Sequence, residues 1–331
     1  MKITVLSDGA WGTALALVLV DNKHDVTMWG PFPEYIQEME RTRFNSKFLP
    51  GVRLDDRLKF ESDIAKAVEE SAVILLASPS QYLRGVLKQL KPYFSPEKHL
   101  LVNVAKGIEV DTWLRMSEVT REILGDCRYV VLSGPSHAEE VSRKVPTLVV
   151  CASADISNAE SVRDIFMNDY FRVYTSTDMT GVELGGALKN VMAIAAGIID
   201  GMKLGDNPKA ALVTRGIAEM SRLGVALGGS MQTFGGLSGV GDLIVTCCSG
   251  HSRNRHVGEC LGEGRKIKDI IQSMGMVVAE GVVTAKGAKH LSETAGVETP
   301  IINEIYNVIY NDKSPETAIR ELMTRSPKQE G

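Results

Sequence analysis

Along the first half of the chain, short runs of apolar, strand-forming residues alternate with longer stretches of helical period. Residues 3–6 read as a strand, 9–12 as a turn, 13–20 as a helix and 25–29 as a second strand, which together make a βαβ unit. Strand-type runs recur at 72–77, 100–104, 129–132 and 147–151, with helical segments such as 81–90 and 113–124 between them. This alternation predicts a parallel sheet covered by helices on both faces. Residues 171–174 are expected to close the sheet. From about Met179 the strand signal stops, and residues 181–202, 210–227, 267–274, 285–294 and 300–310 carry helical periodicity. The expected architecture is α/β, a doubly wound sheet over residues 1–178 followed by a mostly α-helical domain over 179–331. No internal repeat or low-complexity tract interrupts it, and the polar end 326–331 is expected to fray.

Composition supports two cores. At 331 residues the chain exceeds the ~250 residues near which single cores stop growing, and its 44% hydrophobic content supplies the side chains to fill them. A net charge of −4 gives no bulk attraction to nucleic acid or anionic lipid, so any phosphate site must be local. The five cysteines, Cys127, Cys151, Cys247, Cys248 and Cys260, are odd in number and form no CxxC pair, which fits reduced thiols in a cytoplasmic setting. Lys2 and the apolar residues after it imitate a signal peptide, but Asp8 interrupts the run and no small-residue cleavage site follows. The longest later apolar stretch, 191–199, falls short of the ~20 residues that span a bilayer, so no membrane anchor is expected.

The turn Ser7-Asp8-Gly9-Ala10-Trp11-Gly12 stands where a Rossmann unit carries GxGxxG, between the first strand and the helix whose N-terminus receives a pyrophosphate. Gly9 allows the backbone to approach phosphates and Gly12 allows close helix–strand packing, but Ser7 replaces the tight-turn glycine. Asp8 adds a negative charge beside an anion site, so its carboxylate is expected to point away from the pyrophosphate. The second strand runs out into Trp29-Gly30-Pro31-Phe32, which offers neither the acid that selects NAD nor the base that selects NADP, and the choice stays open.

Chemistry gathers on two lysines. The helix around Leu184-Gly185-Gly186-Ala187-Leu188-Lys189-Asn190 is small and apolar on nearly every side, so it belongs in the interior. Burial lowers a lysine pKa toward the range useful for proton transfer, unless Lys189 snorkels to the surface along its stem. Ala105-Lys106-Gly107 and Ser133-Gly134-Pro135-Ser136 each follow a strand, where α/β sheets bind ligands. Gly239-Val240-Gly241-Asp242 adds a carboxylate in a glycine-rich turn, and Ser252-Arg253-Asn254-Arg255 adds a cluster of anion-binding donors. His137 lacks a second histidine at ligand spacing and reads as a hydrogen-bonded loop residue, so no metal is assigned. Cys247 and Cys248 read as small core residues.

These segments, in this order and together with Phe48-Leu49-Pro50, Phe171-Arg172-Val173-Tyr174, Thr214-Arg215-Gly216 and Glu280-Gly281, closely resemble the bacterial-type NAD(P)-dependent glycerol-3-phosphate dehydrogenases over nearly the whole chain. The resemblance implies reduction of dihydroxyacetone phosphate to sn-glycerol 3-phosphate by NAD or NADP, supplying glycerophospholipid synthesis. It makes Lys189 the proton donor and acceptor, with Lys106, Asp242 and Asn190 beside it. It assigns Gly134, Ser136, Ser252, Arg253 and Asn254 to the substrate, and Gly9, Ala10, Trp11, Gly12, Lys106, Ala138, Arg253, Val278 and Glu280 to the cofactor. It departs from the family at Ser7, Asp8 and Pro31, all on the cofactor side. The implied partner is a small phosphate substrate rather than nucleic acid, and the apolar helical domain suits a homodimer. Two other readings compete: a dehydrogenase of β-hydroxy acids or a ketopantoate-like substrate, and a silent dinucleotide sensor. The Ser252–Arg255 donors favour phosphate over carboxylate, and a sensor has no need of Lys189.

Overall fold

The computed structural model describes residues 1–275, 279–327 and 329. Among the described residues ten strands are present: β1 (Lys2–Leu6), β2 (Asp25–Trp29), β3 (Phe44–Asn45), β4 (Leu49–Arg53), β5 (Lys59–Glu61), β6 (Val73–Leu76), β7 (Leu100–Asn103), β8 (Arg128–Ser133), β9 (Thr147–Ala152) and β10 (Phe171–Ser176). Eight of them form one sheet in the order β10-β9-β8-β7-β6-β1-β2-β5, while β3 and β4 make a separate hairpin. The first strand lies between β2 and β6, parallel to both, so the strand order reverses there and a crevice opens beyond the carboxyl ends.

Strands β6 and β7 are buried along their whole length, as continuous apolar runs covered on both faces should be. In β9 and β10 buried positions alternate with exposed ones, leaving one face of that edge open. The expectation of a parallel sheet needs one correction, because β9 runs antiparallel to β8. Parallel crossovers usually run through a full helix that carries the chain back along the sheet, whereas this connection, residues 134–146, contains only the single helical turn Ala138–Val141. Strand β5 and the β3–β4 hairpin carry charged or turn residues rather than apolar runs, so periodicity does not reveal them.

Among the described residues, no strand follows β10. The helix Met179–Gly201 is buried without interruption from Gly181 to Ile199 and forms the axis of the helical half. By length and composition it could cross a membrane, with mean hydropathy 1.5 over its most apolar window, but that window is wholly enclosed by protein. Other helices pack around it with Met220, Leu223, Phe234, Val257 and Ile302 fully buried. The expected frayed end includes Lys328, Glu330 and Gly331, which lie outside the described residues.

The helix Arg253–Gly262 crosses the core helix at a contact made of glycines. A Cβ on Gly197 would collide with the Arg255 carbonyl oxygen, and one on Gly258 would collide with the Ile194 carbonyl and lie 2.9 Å from the Gly197 Cα. Such backbone proximity requires small residues on both helices, and it sets the start of Arg253–Gly262 beside Asn190. Gly258→Ala is therefore expected to lower stability by about 3 kcal/mol through overpacking against backbone, measured as a lower urea midpoint. Gly250→Ala, where nothing lies within 4 Å of the added atom, should stay within ~0.5 kcal/mol of the parent. Equal midpoints for the two variants would remove the glycine contact as the constraint.

Candidate active site

Strand β7 ends at Asn103, whose side chain holds the following turn by donating to the Ala105 carbonyl and accepting from the Ala105 N–H, both at 3.2 Å. That turn presents Lys106. Its Nζ donates to Asp242 Oδ2 at 2.6 Å and to the Gly134 carbonyl, just beyond β8, at 3.0 Å. Asp242 opens the short helix Asp242–Cys248 after a wide π-turn over Leu237–Gly241, and its other oxygen, Oδ1, lies 3.0 Å from Lys189 Nζ. Lys189 also donates to Thr246 Oγ1 at 2.7 Å, and Thr246 in turn donates to the Asp242 backbone carbonyl at 2.6 Å. Two lysines from the two halves of the chain thus share one carboxylate.

The environment decides their charge. The Lys189 side chain is only 9% exposed, so it does not snorkel. Burial lowers its pKa to about 8; Asp242 works against that shift and Lys106 adds to it. For Asp242 burial acts upward, but Lys106 and then Lys189 outweigh it and hold the carboxyl below its ordinary range. The result is a carboxylate fixed as an anion between two cations, one of which titrates close to neutral pH.

A buried polar chain ties this cluster to its surroundings. Asn254 donates to Asn190 Oδ1 at 2.9 Å and accepts from the Gly281 N–H at 2.8 Å, while Asn190 Nδ2 reaches the Lys106 carbonyl at 3.4 Å. The adjacent Glu280 accepts from the Ser80 N–H at 2.9 Å and from the Ser80 hydroxyl, bridging the first helix after β6 to the helical half. Burial pushes the Glu280 carboxyl up. A Cβ at Gly107 would lie 2.7 Å from the Ser80 Cβ, so only glycine lets the Lys106 loop lie this close to Ser80 and Glu280.

The structure brings Lys106, Lys189, Asp242, Asn190, Asn254 and Gly134 into one cluster. Ser136 sits in the same loop and donates to the Gly134 carbonyl at 2.9 Å. Ala138 is buried at the start of its helical turn. Ser252 caps Arg253–Gly262 by accepting from the Arg255 N–H at 3.2 Å, and Arg253 is exposed at that helix start, acting on Glu280. The donor cluster needs a correction: Arg255 turns away to Asp200 at 2.6 Å, because a residue two positions beyond Arg253 lies on another helix face. Val278 lies outside the described residues.

Sequence reasoning misses Thr246 and Ser80, since neither stands in a motif and each becomes significant only through its partner. His137 is the hydrogen-bonded loop residue that its sequence setting suggests, with a backbone hydrogen bond at Val245. Its Nε2 is buried, its pKa is lowered by burial and then by Lys189, and its ring lies 5.8 Å from that of His251. Cys247 is buried with its thiol pushed up to about 12, as expected of a core residue, whereas Cys248 is exposed. No cluster of metal-ligating side chains occurs among the described residues.

At the other end of the crevice, Gly9 caps the helix Ala10–Asp21 with no side-chain bond to its first turn and no acid within that turn. The first N–H groups of such a helix lack intrahelical partners and suit an anion. Ser7 solves the turn without the expected glycine: its φ is not positive, and its hydroxyl accepts from the Gly9 N–H at 3.0 Å. A Cβ at Gly12 would lie 3.2 Å from the Ser7 Cβ and 3.3 Å from the Ala77 Cβ, the close helix–strand approach anticipated for that glycine. Trp11 Nε1 and Asp8 Oδ2 are buried without partners among the described residues. An open helix N-terminus with orphaned donor and acceptor atoms beside it fits a dinucleotide, and the Asp8 carboxyl turns toward Gly30 at the end of β2.

The family model described as NAD-dependent glycerol-3-phosphate dehydrogenase N-terminus matches residues 2–159, and its C-terminal counterpart matches 178–320. The chain is 50% identical to the glycerol-3-phosphate dehydrogenase (NAD(P)+) of Chlorobium phaeobacteroides, covering 100% of this chain and 99% of that protein. It is 51% identical to the enzyme of the same name from Lysinibacillus sphaericus, over 99% of this chain and 98% of the other. A crystal structure of glycerol-3-phosphate dehydrogenase from Coxiella burnetii gives a TM-score of 0.94 at 36% identity, covering 98% of this chain and 99% of that one. D-mandelate dehydrogenase solved with NADH and anilino(oxo)acetate, at TM-score 0.65 and 12% identity over 98% of this chain and 100% of that one, shares the fold alone. With both family models matched and half-identical relatives aligned from end to end, the chain belongs to the NAD-dependent glycerol-3-phosphate dehydrogenase family.

Proposed function

We propose that this protein interconverts dihydroxyacetone phosphate and sn-glycerol 3-phosphate using NAD or NADP, with Lys189 giving and taking the proton at the C2 oxygen. The observation that carries this reading is the sharing of the Asp242 carboxylate by Lys106 and Lys189 at the carboxyl end of the sheet. When bound, the nicotinamide supplies the hydride for C2. Lys189 protonates the C2 oxygen as negative charge develops there, and the neutral amine regains its proton from solvent. In the oxidation direction the neutral amine removes that proton. A pKa of about 8 suits both roles near neutral pH.

Asp242 and Thr246 fix where the Lys189 ammonium points, and Lys106 adds a second cation for the developing charge. Gly134 and Ser136 bound the substrate side of the crevice. Ser252 and Arg253, at the start of a ten-residue helix, would hold the phosphate through hydroxyl, guanidinium and helix N-terminus. Asn190 and Asn254 act as braces, because their mutual bond and the Gly281 N–H occupy them. On the cofactor side, Gly9, Ala10, Trp11 and Gly12 would cradle the pyrophosphate, with Lys106, Ala138, Arg253 and Glu280 farther along. In this reading residues 1–178 form the dinucleotide-binding domain and 179–331 the helical substrate-binding domain, each lending a few contacts to the other's ligand. It extends to a cytoplasmic homodimer whose product feeds glycerophospholipid synthesis.

Lys189→Ala is expected to lower kcat by ~10² to 10⁴ without loss of cofactor binding, followed by nicotinamide absorbance with dihydroxyacetone phosphate; near-normal turnover would remove Lys189 from the chemistry. In the parent protein, kcat/KM for reduction should fall as pH rises through about 8, because the acid form of Lys189 disappears, while oxidation should rise across the same window. Limbs of the same sign in both directions would assign the proton to another group. Arg253→Ala should raise KM for dihydroxyacetone phosphate about tenfold with kcat little changed, since a charged phosphate contact acts equally in ground and transition states. An unchanged KM would place the phosphate elsewhere.

A further inference from the structure

In doubly wound sheets the two nicotinamide dinucleotides are commonly distinguished by an acid at the end of the second strand, which accepts from the adenosine ribose 2′-hydroxyl. Here β2 ends at Trp29 and continues as Gly30-Pro31-Phe32, none with a side-chain acceptor. A carboxyl nevertheless stands beside Gly30, sharing the space with Ile36: a Cβ on Gly30 would lie 2.7 Å from Ile36 Cδ1, 3.0 Å from the Asp8 Cβ and 3.1 Å from its Cγ. The parallel pairing explains this, because Leu6 is in register with Trp29 and the two chains leave the sheet side by side.

Asp8 is held there. Its backbone carbonyl accepts from Asn45 Nδ2 at 2.7 Å, and the same amide donates to Thr13 Oγ1 at 2.8 Å, pinning the turn to the first helix. Asp8 is 9% exposed and its Oδ2 has no partner among the described residues. A buried carboxylate oxygen without a donor is costly in the free protein, and a ligand hydroxyl beside Gly30 would satisfy it. Lys47 is the competing feature: it acts on Asp8 and stands with its ammonium 4.2 Å from the centre of the Tyr35 ring, a cation of the kind that favours a 2′-phosphate.

We infer that Asp8 is a specificity-determining residue, accepting the adenosine ribose 2′-hydroxyl of NAD(H) in place of the missing acid on β2 and repelling the 2′-phosphate of NADP(H). The protein is on this basis NAD-selective. The inference rests on the dehydrogenase reading above but concerns binding, so it is tested without substrate. Equilibrium dissociation constants are measured calorimetrically for NADH, NADPH and an NADH analogue lacking the adenosine 2′-hydroxyl, with the parent, Asp8→Ala and Asp8→Asn. The parent should bind NADH at least about tenfold more tightly than NADPH, the scale of one hydrogen bond to a charged group. Asp8→Ala should weaken NADH about tenfold, leave the deoxy analogue unchanged and tighten NADPH; Asp8→Asn should tighten NADPH with a smaller loss for NADH. Removal of the buried unpaired carboxylate should also raise the melting temperature of ligand-free Asp8→Ala. Tighter binding of NADPH than NADH by the parent, or equal losses for NADH and its deoxy analogue in Asp8→Ala, would overturn the assignment. Turnover of dihydroxyacetone phosphate by the parent is scored separately: discrimination between the dinucleotides without turnover would sink the functional reading and leave this one standing.

Discussion

One carboxylate held between two ammonium groups governs the arrangement of this molecule. Asp242 contacts Lys106 at 2.6 Å and Lys189 at 3.0 Å in a nearly closed site. Without it, two cations would face each other across a desolvated space. Taking three charges out of water is expensive, and their attraction offsets that cost only with close geometry and full hydrogen bonding. The Gly134 carbonyl, Thr246 and the turn around Asn103 supply that geometry. A buried network of this kind adds little to net stability; what it secures is the position and the titration of Lys189, together with an excess of positive charge in the crevice.

Bringing these groups together requires backbones to approach closely. The core helix carries glycine at 185, 186, 197 and 201, and at each position an added Cβ would meet a neighbouring chain. Gly185 lies against Ser238, so the π-turn before Asp242 packs directly on the helix bearing Lys189. Gly186 lets the end of β8 come close, since a Cβ there would lie 2.9 Å from Ser133 Oγ, with the Lys106 stem alongside at ordinary contact distance. Gly197 and Gly201 admit the Ser252-capped helix. The helix is therefore apolar for burial and glycine-rich for approach, and only Glu183, Lys189 and Asn190 interrupt it with larger polar groups among its buried residues. Glu183 is satisfied by Arg115 and Ser117, which ties the core helix to the helical layer after β7.

The turn after β1 is held by different contacts. Ser7 supplies with its hydroxyl the local bond that lets an ordinary residue occupy a glycine position, and Gly12 keeps the helix close to β1 and the end of β6. Glu280 on Ser80 and Asn254 on Asn190 join this end to the lysine cluster, so the Ser252-capped helix and the loop carrying Lys106 are braced by the same polar chain.

The sequence by itself determined the elements and their types. Apolar runs of strand length, helical periodicity after residue 178, a glycine turn between a strand and a helix, and a lysine inside an apolar helix are local patterns, and local sterics and burial suffice to interpret them. It also determined that Lys106, Lys189 and Asp242 belong to one site, through their positions after strands and within a recognisable order of motifs. Tertiary structure alone decided which atoms meet: that Thr246 rather than another group steadies Lys189, that Ser80 receives Glu280, that Arg255 serves Asp200 while Arg253 stays at the helix start, and that β9 reverses direction beside β8. It also decided that the Asp8 carboxyl stands beside Gly30, next to Ile36. These outcomes depend on side-chain direction and on partners far apart in the chain, such as Lys106 and Asp242, whose encounter is fixed by packing two cores together rather than by any pattern within either segment.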